Sequence, residues 1–302
     1  MENNPVLIVG SVGLDALTTP FGHVDRVLGG AASYSSVAAS YFAPVSMVAV
    51  VGKDFPEEHI KLFESKGIDV SALEIKEGET FFWSGEYGED PNQAITHATE
   101  LNVFADFKPI LPESHKTHPF VFLANIDPVL QLEVLDQVKN PQFVGCDTMN
   151  FWIASKKDEL IEVLKRVDLC LINDTEARML TGCKLLVDAA DAILEYGPKY
   201  VAVKKGEHGA LLFGGDTHFS APSFPLRQII DPTGAGDSFA GGLIGYLAKT
   251  GDISEPNIRK AVVYGSTVAS FDVEDFSLRR LAALTFAEIQ DRYNILSDIA
   301  RF

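Results

Sequence analysis

The sequence predicts an α/β fold in which helices cover both faces of a mainly parallel sheet, and three observations support this. Short apolar runs rich in β-branched residues, beginning with residues 6–9, have the length and composition of buried strands. Stretches of helical length separate these runs, and such alternation is typical of parallel sheets. The 302 residues are 46% hydrophobic and 22% charged, a composition that can fill a large core.

The predicted elements follow one another along the chain. A strand at residues 6–9 precedes a small-residue-rich helix at 31–42, a strand at 45–51 and a helix at 56–66. Later strands are predicted at 120–123, 142–146, 169–172, 200–203 and 209–213. Later helices are predicted at 128–139, 155–166, 174–180, 187–196, 235–249, 255–271 and 286–300.

A β-rich segment interrupts this alternation. Residues 80–87 and 94–104 are rich in aromatic and β-branched side chains, and turn-forming residues separate them, as in a hairpin. We interpret this segment as an appended β flap. Because we find neither an internal repeat nor a low-complexity linker, we predict a single domain over residues 1–302, with lid segments at about 13–28 and 79–106.

The charge and the cysteines exclude several function classes. A formal net charge of −17 is poorly suited to binding nucleic-acid phosphates or an anionic membrane. The chain has three cysteines, Cys146, Cys170 and Cys183. Their odd number disfavours a disulfide framework and their spacing does not match metal ligands, so we expect reduced, buried thiols. The amino terminus lacks the basic region of a signal peptide, and no apolar run reaches membrane length. We therefore expect a cytoplasmic protein without nucleic-acid or membrane partners.

The strongest functional pattern is the run Asp231-Pro232-Thr233-Gly234-Ala235-Gly236-Asp237-Ser238-Phe239. Its small residues would let a phosphate approach the first amides of the following helix, which lack internal partners and carry the positive end of the helix dipole. Gly234, Ala235 and Gly236 would then form an anion hole for a transferred phosphoryl group. Asp237 could accept the proton of an attacking hydroxyl, although an aspartate here can also be only a helix cap.

This run resembles the carboxy-terminal motif of the ribokinase (PfkB) family of carbohydrate and nucleoside kinases, and the resemblance extends over nearly the whole chain. It implies a ribokinase-like, three-layer Rossmann-like fold with a small β-sheet lid. It also implies that ATP is the phosphoryl donor, that Mg²⁺ is required and that Asp237 is the catalytic base. The γ-phosphate would move to an alcohol group, a primary CH2OH, of a small unphosphorylated ribosyl acceptor.

Two amino-terminal segments match the family in order. Gly29 and Gly30 precede the small-residue-rich helix and resemble the glycine pair that approaches the acceptor, although close helix–sheet packing also explains them. Asp15 resembles the carboxylate that binds acceptor hydroxyls, and a turn aspartate is the alternative. Where sugar kinases of the family usually carry an asparagine, this chain has Tyr34, so the resemblance leaves the acceptor open.

Two further segments resemble metal-binding positions of the family. Asn173 and Glu176 match its N-x-x-E motif, in which they would organise water around Mg²⁺. The same pair also has the pattern of a helix capping box. Asp231 and Thr233 match positions near a monovalent-cation loop, and whether K⁺ is required stays open.

Other candidate residues follow predicted strands. Lys205, Gly206 and Gly209 resemble the family's nucleotide-side loop, where the glycines would let the backbone approach ATP and Lys205 would meet a phosphate or remain solvated. Asp147 and Asn150 follow a strand end, where open α/β sheets bind ligands, but a simple turn is the alternative.

The flap bears on the acceptor. Residues 14–24 and 77–107 contain no lysine or arginine, which disfavours an acceptor that already carries a phosphate. Aromatic side chains of the flap could stack on a nucleobase, or fill its own core or a dimer interface; they are Phe81, Phe82, Trp83, Tyr87 and Phe104. We predict a nucleoside such as adenosine as acceptor, with a ribose-like free sugar as the alternative, and a homodimer formed through the lid.

Two other function classes are alternatives to a kinase. A non-catalytic nucleotide-binding regulator could share the fold, but the intact run at residues 234–237 together with Glu176 disfavours it. A Rossmann oxidoreductase is disfavoured because no G-x-G-x-x-G follows the first strand.

Overall fold

The computed structural model of the protein describes residues 4–215 and 217–301. Its strands are β1 (Val6–Val9), β2 (Gly13–Thr19), β3 (Gly22–Gly29), β4 (Val45–Gly52), β5 (Ile68–Lys76), β6 (Phe81–Tyr87), β7 (Ala94–Glu100), β8 (Phe120–Leu123), β9 (Phe143–Asp147), β10 (Leu169–Asn173), β11 (Tyr200–Lys204), β12 (Ala210–Gly214) and β13 (Thr217–Ala221). Its α-helices are α1 (Ala31–Ser40), α2 (Glu57–Ser65), α3 (Pro128–Leu135), α4 (Asn150–Ser155), α5 (Lys157–Leu164), α6 (Asp174–Thr181), α7 (Leu186–Leu194), α8 (Ala235–Thr250), α9 (Glu255–Asp272), α10 (Arg279–Ala283) and α11 (Phe286–Ile299). Within these residues, no helix combines the length and apolarity needed to cross a membrane.

Nine of the described strands form the main sheet, in the order β13-β12-β11-β10-β9-β8-β1-β4-β5. Every neighbouring pair from β11 to β5 is parallel, whereas β12 and β13 are antiparallel. The predicted mainly parallel sheet is confirmed. Because the carboxyl ends of parallel strands share one edge, β9, β10 and β11 bring their last residues to the same side of the molecule.

The main sheet separates two apolar cores. In β1, Val6 and Ile8 face one core and Leu7 and Val9 face the other, as the alternation of a strand requires. Side chains of α1 and of α8 to α11 fill the first core. Side chains of α3 and of α5 to α7 fill the second. The result is the predicted three-layer arrangement.

A second, four-stranded sheet has the order β3-β2-β6-β7. Its hairpins β2–β3 and β6–β7 are antiparallel, and β2 pairs with β6 in parallel. Both segments predicted as the lid therefore contribute strands to one small sheet.

Among the features that differ from the predicted elements, three concern the two sheets and the helices between them. The edge strand β5 was missed, because it alternates apolar residues with charged ones such as Asp69 and Glu74 and is largely exposed on one side. The predicted helix at 155–166 is α5, and a separate short helix that was not predicted, α4, precedes it, with a break at Lys156. The strand predicted at 94–104 ends at Glu100, and a 3₁₀ turn, Asn102–Asp106, follows.

A seam of small residues joins α1 to α8 in the first core. A Cβ on Gly241 would overlap the carbonyl oxygen of Ser35 and lie 2.7 Å from the Cβ of Ala38. A Cβ on Gly245 would lie 2.9 Å from the Cα of Ala39. The two helix backbones can approach this closely only because α8 carries glycine at these positions.

We expect Gly241→Ala to lower the free energy of unfolding by about 1–3 kcal/mol, because the added methyl group must push α1 away. In an exposed helix the same change stabilises a protein by about 0.5–1 kcal/mol. A loss of stability would therefore show that Gly241 lies in a close helix contact. Denaturant unfolding followed by circular dichroism measures it. The control is Gly88→Ala, where an added Cβ meets nothing within 4 Å; a Gly241→Ala protein at least as stable as the parent would contradict this packing.

Candidate active site

Helix α8 begins at a tight turn. Gly234 is its N-cap and has a left-handed φ of 80°, which favours glycine. Its Cα also lies against the ring of Tyr34, which a Cβ would overlap. The amide of Ser238 closes the turn by donating to the Gly234 carbonyl at 2.8 Å. The Ala235 amide donates to the Pro232 carbonyl at 3.3 Å, whereas the amides of Gly236 and Asp237 lie in the first turn, where the helix supplies no acceptors. An anion hole at this helix start, predicted at Gly234, Ala235 and Gly236, stays a prediction.

Asp237 lies in the first turn of α8. Burial, reinforced by the charges of Asp147 and Glu176 and opposed by Lys204, raises the pKa of its carboxyl from 3.8 to about 7. A helix amino terminus alone would favour the ionised form, so burial and the neighbouring acids dominate. A carboxyl that titrates near neutral pH is suited to taking a proton from a hydroxyl.

Asp15, Gly29 and Gly30 meet beside this turn. The Asp15 side chain on β2 is 3% exposed and lies against Gly29, where a Cβ would overlap the carboxylate. Gly30 is the N-cap of α1, with a φ of 93°. Burial, followed by the charges of Asp231 and Asp237, raises the pKa of Asp15 to about 8. The structure thus brings the predicted acceptor-side residues within the electrostatic reach of Asp237.

A buried ion pair lies on the other side of Asp237. The Nζ of Lys204 is 2.6 Å from Oδ2 of Asp147, and it lies 3.0 Å from the position that a Cβ on Gly236 would occupy. Burial alone would lower the pKa of Lys204, but Asp147 and Glu176 raise it overall, so this lysine is charged. Asp147, whose role the sequence left open, therefore belongs to this cluster. Asn150 instead begins α4 with an exposed side chain that accepts a hydrogen bond from its neighbour's amide.

Asn173 and Glu176 form a reciprocal cap on α6. The Asn173 amide donates to Oε2 of Glu176 at 2.8 Å, and the Glu176 amide donates to Oδ1 of Asn173 at 2.8 Å. Burial raises the pKa of Glu176 to about 7, Lys204 opposes this and Asp147 reinforces it. The capping interpretation is correct, yet the carboxylate still lies in the field of the ion pair. Its other oxygen, Oε1, remains outside the cap, and carboxylate oxygens are ligands that suit Mg²⁺.

Asp231 ties the α8 turn to a neighbouring loop. Its Oδ1 accepts from the Thr233 amide and its Oδ2 from the Ser277 amide, both at 2.9 Å. The Ser277 hydroxyl in turn donates to the carbonyl of Leu28 in β3 at 2.5 Å. Asp231 therefore holds the catalytic run against the strand that precedes Gly29. The prediction that Asp231 and Thr233 lie near a monovalent cation stays a prediction.

The predicted nucleotide-side loop connects β11 to β12. Gly206 and Gly209 have positive φ values of 53° and 79°, and the Lys205 amide donates to the Gly209 carbonyl at 2.8 Å. The side chain of Asn92, in the turn between β6 and β7, touches Gly206 where a Cβ would be. The turn of the small sheet therefore reaches this loop.

Sequence analysis singled out Lys205 and missed Lys204. The alternation along β11 could have found it: Val201 and Val203 face the second core and Ala202 faces the first. Lys204 therefore follows Ala202 toward α8, and Lys205 follows Val203 away from it. A phosphate contact of Lys205 stays a prediction.

Tyr34 packs beneath the α8 turn rather than beside an open space. Its side chain is 1% exposed and supports Gly234. Burial, and then the charge of Asp272, raises the pKa of its hydroxyl well above the usual value. Asp272 is also buried, and neither of its carboxylate oxygens has a hydrogen-bond partner among the described residues. Sequence analysis missed Asp272, because nothing in the pattern of α9 distinguishes it from an exposed helix end.

The flap aromatics divide into two groups. Phe81 and Phe104 pack together in the second core, with ring centroids 5.7 Å apart, and the Nε1 of Trp83 donates to Oγ1 of Thr96 within the sheet. Tyr87 instead lies close to the cleft: burial raises its pKa to about 12, and the three aspartates around the α8 turn contribute to that rise. Phe81, Phe104 and Trp83 therefore contribute to packing, whereas Tyr87 lines an open cavity.

Comparison with known proteins identifies the class. Residues 15–282 match the profile of the family described as pfkB family carbohydrate kinase. The chain is 32% identical over 249 residues to a cytidine kinase of Thermococcus kodakarensis, a match that covers 80% of this chain and 88% of that protein.

Solved structures match the fold over nearly its full length. The nucleoside kinase of Methanocaldococcus jannaschii, an archaeal member of the ribokinase family, superposes with a TM-score of 0.79 at 22% identity over 97% of this chain and 99% of that chain. A putative ribokinase II of E. coli in complex with ATP and Mg²⁺ gives 0.78 at 18% identity over 97% and 99%. The ribokinase-like fold is confirmed.

The fold and the match together define an ATP-dependent sugar or nucleoside kinase. This chain belongs to the pfkB family of carbohydrate kinases. The predicted kinase class, with ATP and Mg²⁺, is confirmed, and it displaces the regulator and oxidoreductase alternatives.

We expect Lys204→Met to lower the free energy of unfolding by about 3–5 kcal/mol, because it leaves the Asp147 carboxylate, whose side chain is 3% exposed, buried without its partner. The double variant Lys204→Met/Asp147→Asn should recover much of that loss, since it removes the orphaned charge. Denaturant unfolding of the single and double variants measures both effects. Lys205→Met is the control; equal losses in Lys204→Met and Lys205→Met would contradict the assignment of the ion pair.

Proposed function

We propose that this protein transfers the γ-phosphate of ATP to the primary hydroxyl of a nucleoside, with Asp237 as general base. The observation that supports this most is the meeting of a glycine-lined helix start with a carboxyl whose pKa is about 7. Phosphoryl transfer requires little else of the protein than positioning, a proton acceptor and electrostatic stabilisation of the phosphate oxygens.

The acceptor would be held on the amino-terminal side of the cleft. Asp15 accepts hydrogen bonds from its hydroxyls, and the backbone at Gly29 and Gly30 approaches it closely. Asp237 takes the proton of the attacking hydroxyl. The amides at Gly236 and Asp237 stabilise the charge on the transferred group, and the small sheet excludes water when it closes over the cleft.

ATP would lie on the side of β10, β11 and the loop of Gly206 and Gly209. When Mg²⁺ is bound with it, the metal neutralises phosphate oxygens. Glu176 and Asn173 would hold that ion through water molecules. Lys204, kept charged by Asp147 and directed at Gly236, would add a fixed positive charge near the transferred group.

Two observations favour a nucleoside over a free sugar. Tyr87 offers an aromatic face near the three aspartates of the cleft, where a base attached to the ribose could stack. Two of the matched proteins are a cytidine kinase and a nucleoside kinase. Cytidine therefore joins adenosine among the expected acceptors, and ribose is the free-sugar alternative.

Three expectations from the sequence belong to this proposal: a K⁺ requirement, a homodimer formed through the lid and a cytoplasmic location. Turnover in KCl compared with NaCl, sedimentation velocity and cell fractionation would test them.

The acceptor is tested by a coupled ADP-release assay with MgATP and a panel of cytidine, adenosine, inosine, uridine and ribose. We expect at least one nucleoside to have a higher kcat/KM than ribose, because base stacking contributes about 1–3 kcal/mol. Phosphorus NMR of the product should show a 5′-phosphomonoester. Activity on ribose alone would replace the nucleoside by the free sugar, and ADP release without any acceptor dependence would contradict the proposal.

We expect Asp237→Asn to reduce kcat by about 10²–10⁴-fold, the range of general base catalysis, while the dissociation constant of MgATP changes little. In the parent protein, kcat/KM should rise with pH through about 7, because the base must be ionised and its pKa is about 7. Steady-state kinetics and calorimetric ATP titration measure the two quantities.

Asp188→Asn is the matched control for this variant, because Asp188 is an exposed aspartate in the first turn of another helix, α7. It should leave kcat unchanged. If Asp237→Asn weakened ATP binding as strongly as it slowed turnover, Asp237 would be a structural residue and not the base.

A further inference from the structure

The catalytic cleft has an excess of negative charge. After burial, the charges of Asp231 and Asp237 raise the pKa of Asp15, and the charges of Asp147 and Glu176 raise the pKa of Asp237. In the described part of the chain, the cation that acts on Asp237 is Lys204, and Asp147 already neutralises it at 2.6 Å. Transfer of a phosphoryl group is assisted by positive charge at the phosphate oxygens, so a second cationic side chain in this cleft would supplement the helix start, Lys204 and Mg²⁺.

A cavity of about 380 Å³ opens beside the catalytic run. The turns of the small sheet form one wall, at Thr19 and Tyr87, and Glu207 of the nucleotide-side loop forms another. The segment that leads into the catalytic run, from Leu226 to Pro232, forms the third. The cavity therefore lies between the nucleotide-side loop and the start of the anion hole, a gap that the phosphate chain of a nucleotide must cross.

Arg227 lines this cavity with an exposed side chain. Glu89 and Glu207 line it too, yet neither forms an ion pair with Arg227, and its guanidinium donates no hydrogen bond to any residue in the described ranges. Most arginines of this acidic chain do have carboxylate partners, for example Arg26 with Asp54 at 2.6 Å. The guanidinium of Arg227 is thus free to bind an anion that enters the cavity.

We propose that Arg227 binds the γ-phosphate of the nucleoside triphosphate and accompanies it during transfer. This inference rests on the proposed function for the position of ATP. A guanidinium presents a planar set of donors that can bind two phosphate oxygens at once, which suits it to this role better than an ammonium group. Arg227 would reach the transferred group from the segment that leads into Pro232, whereas Lys204 lies beside Gly236.

The test measures binding without turnover. We compare the dissociation constants of MgADP and of Mg²⁺ with a non-hydrolysable ATP analogue by calorimetry, in the absence of acceptor, for the parent protein, Arg227→Gln, Arg227→Lys and Arg301→Gln. Arg227→Gln should weaken the triphosphate analogue by about 10- to 100-fold, as expected for a charged hydrogen bond, and leave ADP nearly unchanged. Arg227→Lys should lose less affinity, and Arg301→Gln, which removes an exposed charge near the end of α11, should lose none.

Other results would overturn the assignment. Equal weakening of ADP and the analogue would place Arg227 at the inner phosphates or the base, and unchanged affinities would remove it from nucleotide binding. A change only in the KM of the acceptor would assign it to the acceptor instead. If the parent protein bound the analogue but phosphorylated no nucleoside, the proposed acceptor would fail while the Arg227 result would stand. If it bound neither nucleotide, both proposals would fall.

Discussion

The close approach of α1 and α8 determines where the candidate site lies. Each helix begins with a glycine of positive φ, Gly30 in α1 and Gly234 in α8, and glycines at Gly241 and Gly245 let the two backbones touch. Tyr34 of α1 fills the space directly beneath Gly234. Because of this packing, the start of α1 lies beside the start of α8, where the amides of Gly236 and Asp237 have no acceptor within the helix. A looser contact would separate the acceptor-side glycines from the anion hole, whatever the chemistry of the side chains.

The acids of the cleft are held at an energetic cost to the fold. Asp237 has a pKa of about 7 in the folded protein and 3.8 as a free side chain, so the folded state holds its proton more tightly than the unfolded state. This contribution to stability is therefore lost as the pH rises from about 4 through about 7. Asp15, with a pKa of about 8, acts in the same direction. Near neutral pH, ionising these buried acids therefore destabilises the fold at the position where a base is needed. Such perturbed pKa values are typical of functional sites.

The local parts of the site could be predicted from the sequence, and the parts that depend on tertiary packing could not. The run at residues 231–239 encodes a turn and a helix start within nine residues, so its geometry follows from local rules. The Asn173–Glu176 cap is similarly local. By contrast, Lys204 joins the site only because β11 lies beside β10 and points one face at α8. Asp272 acts on Tyr34, and Asn92 contacts Gly206. The residues of each pair are more than 100 positions apart, so no local spacing in the sequence predicts that they meet.

The distribution of charge also orients the two substrates. On the proposed acceptor side, residues 14–24 and 77–107 contain no lysine or arginine, and Asp15 lies within the electrostatic reach of Asp231 and Asp237. A phosphate group there would meet like charge in a partly desolvated space, which is strongly unfavourable. On the side of β10 and β11, the start of α8 and Lys204 present positive charge. A neutral nucleoside would lose nothing by lying among hydrogen-bond acceptors, whereas a triphosphate would lose a great deal. In the proposed mechanism, the acids that activate the hydroxyl would therefore also keep ATP out of the acceptor position.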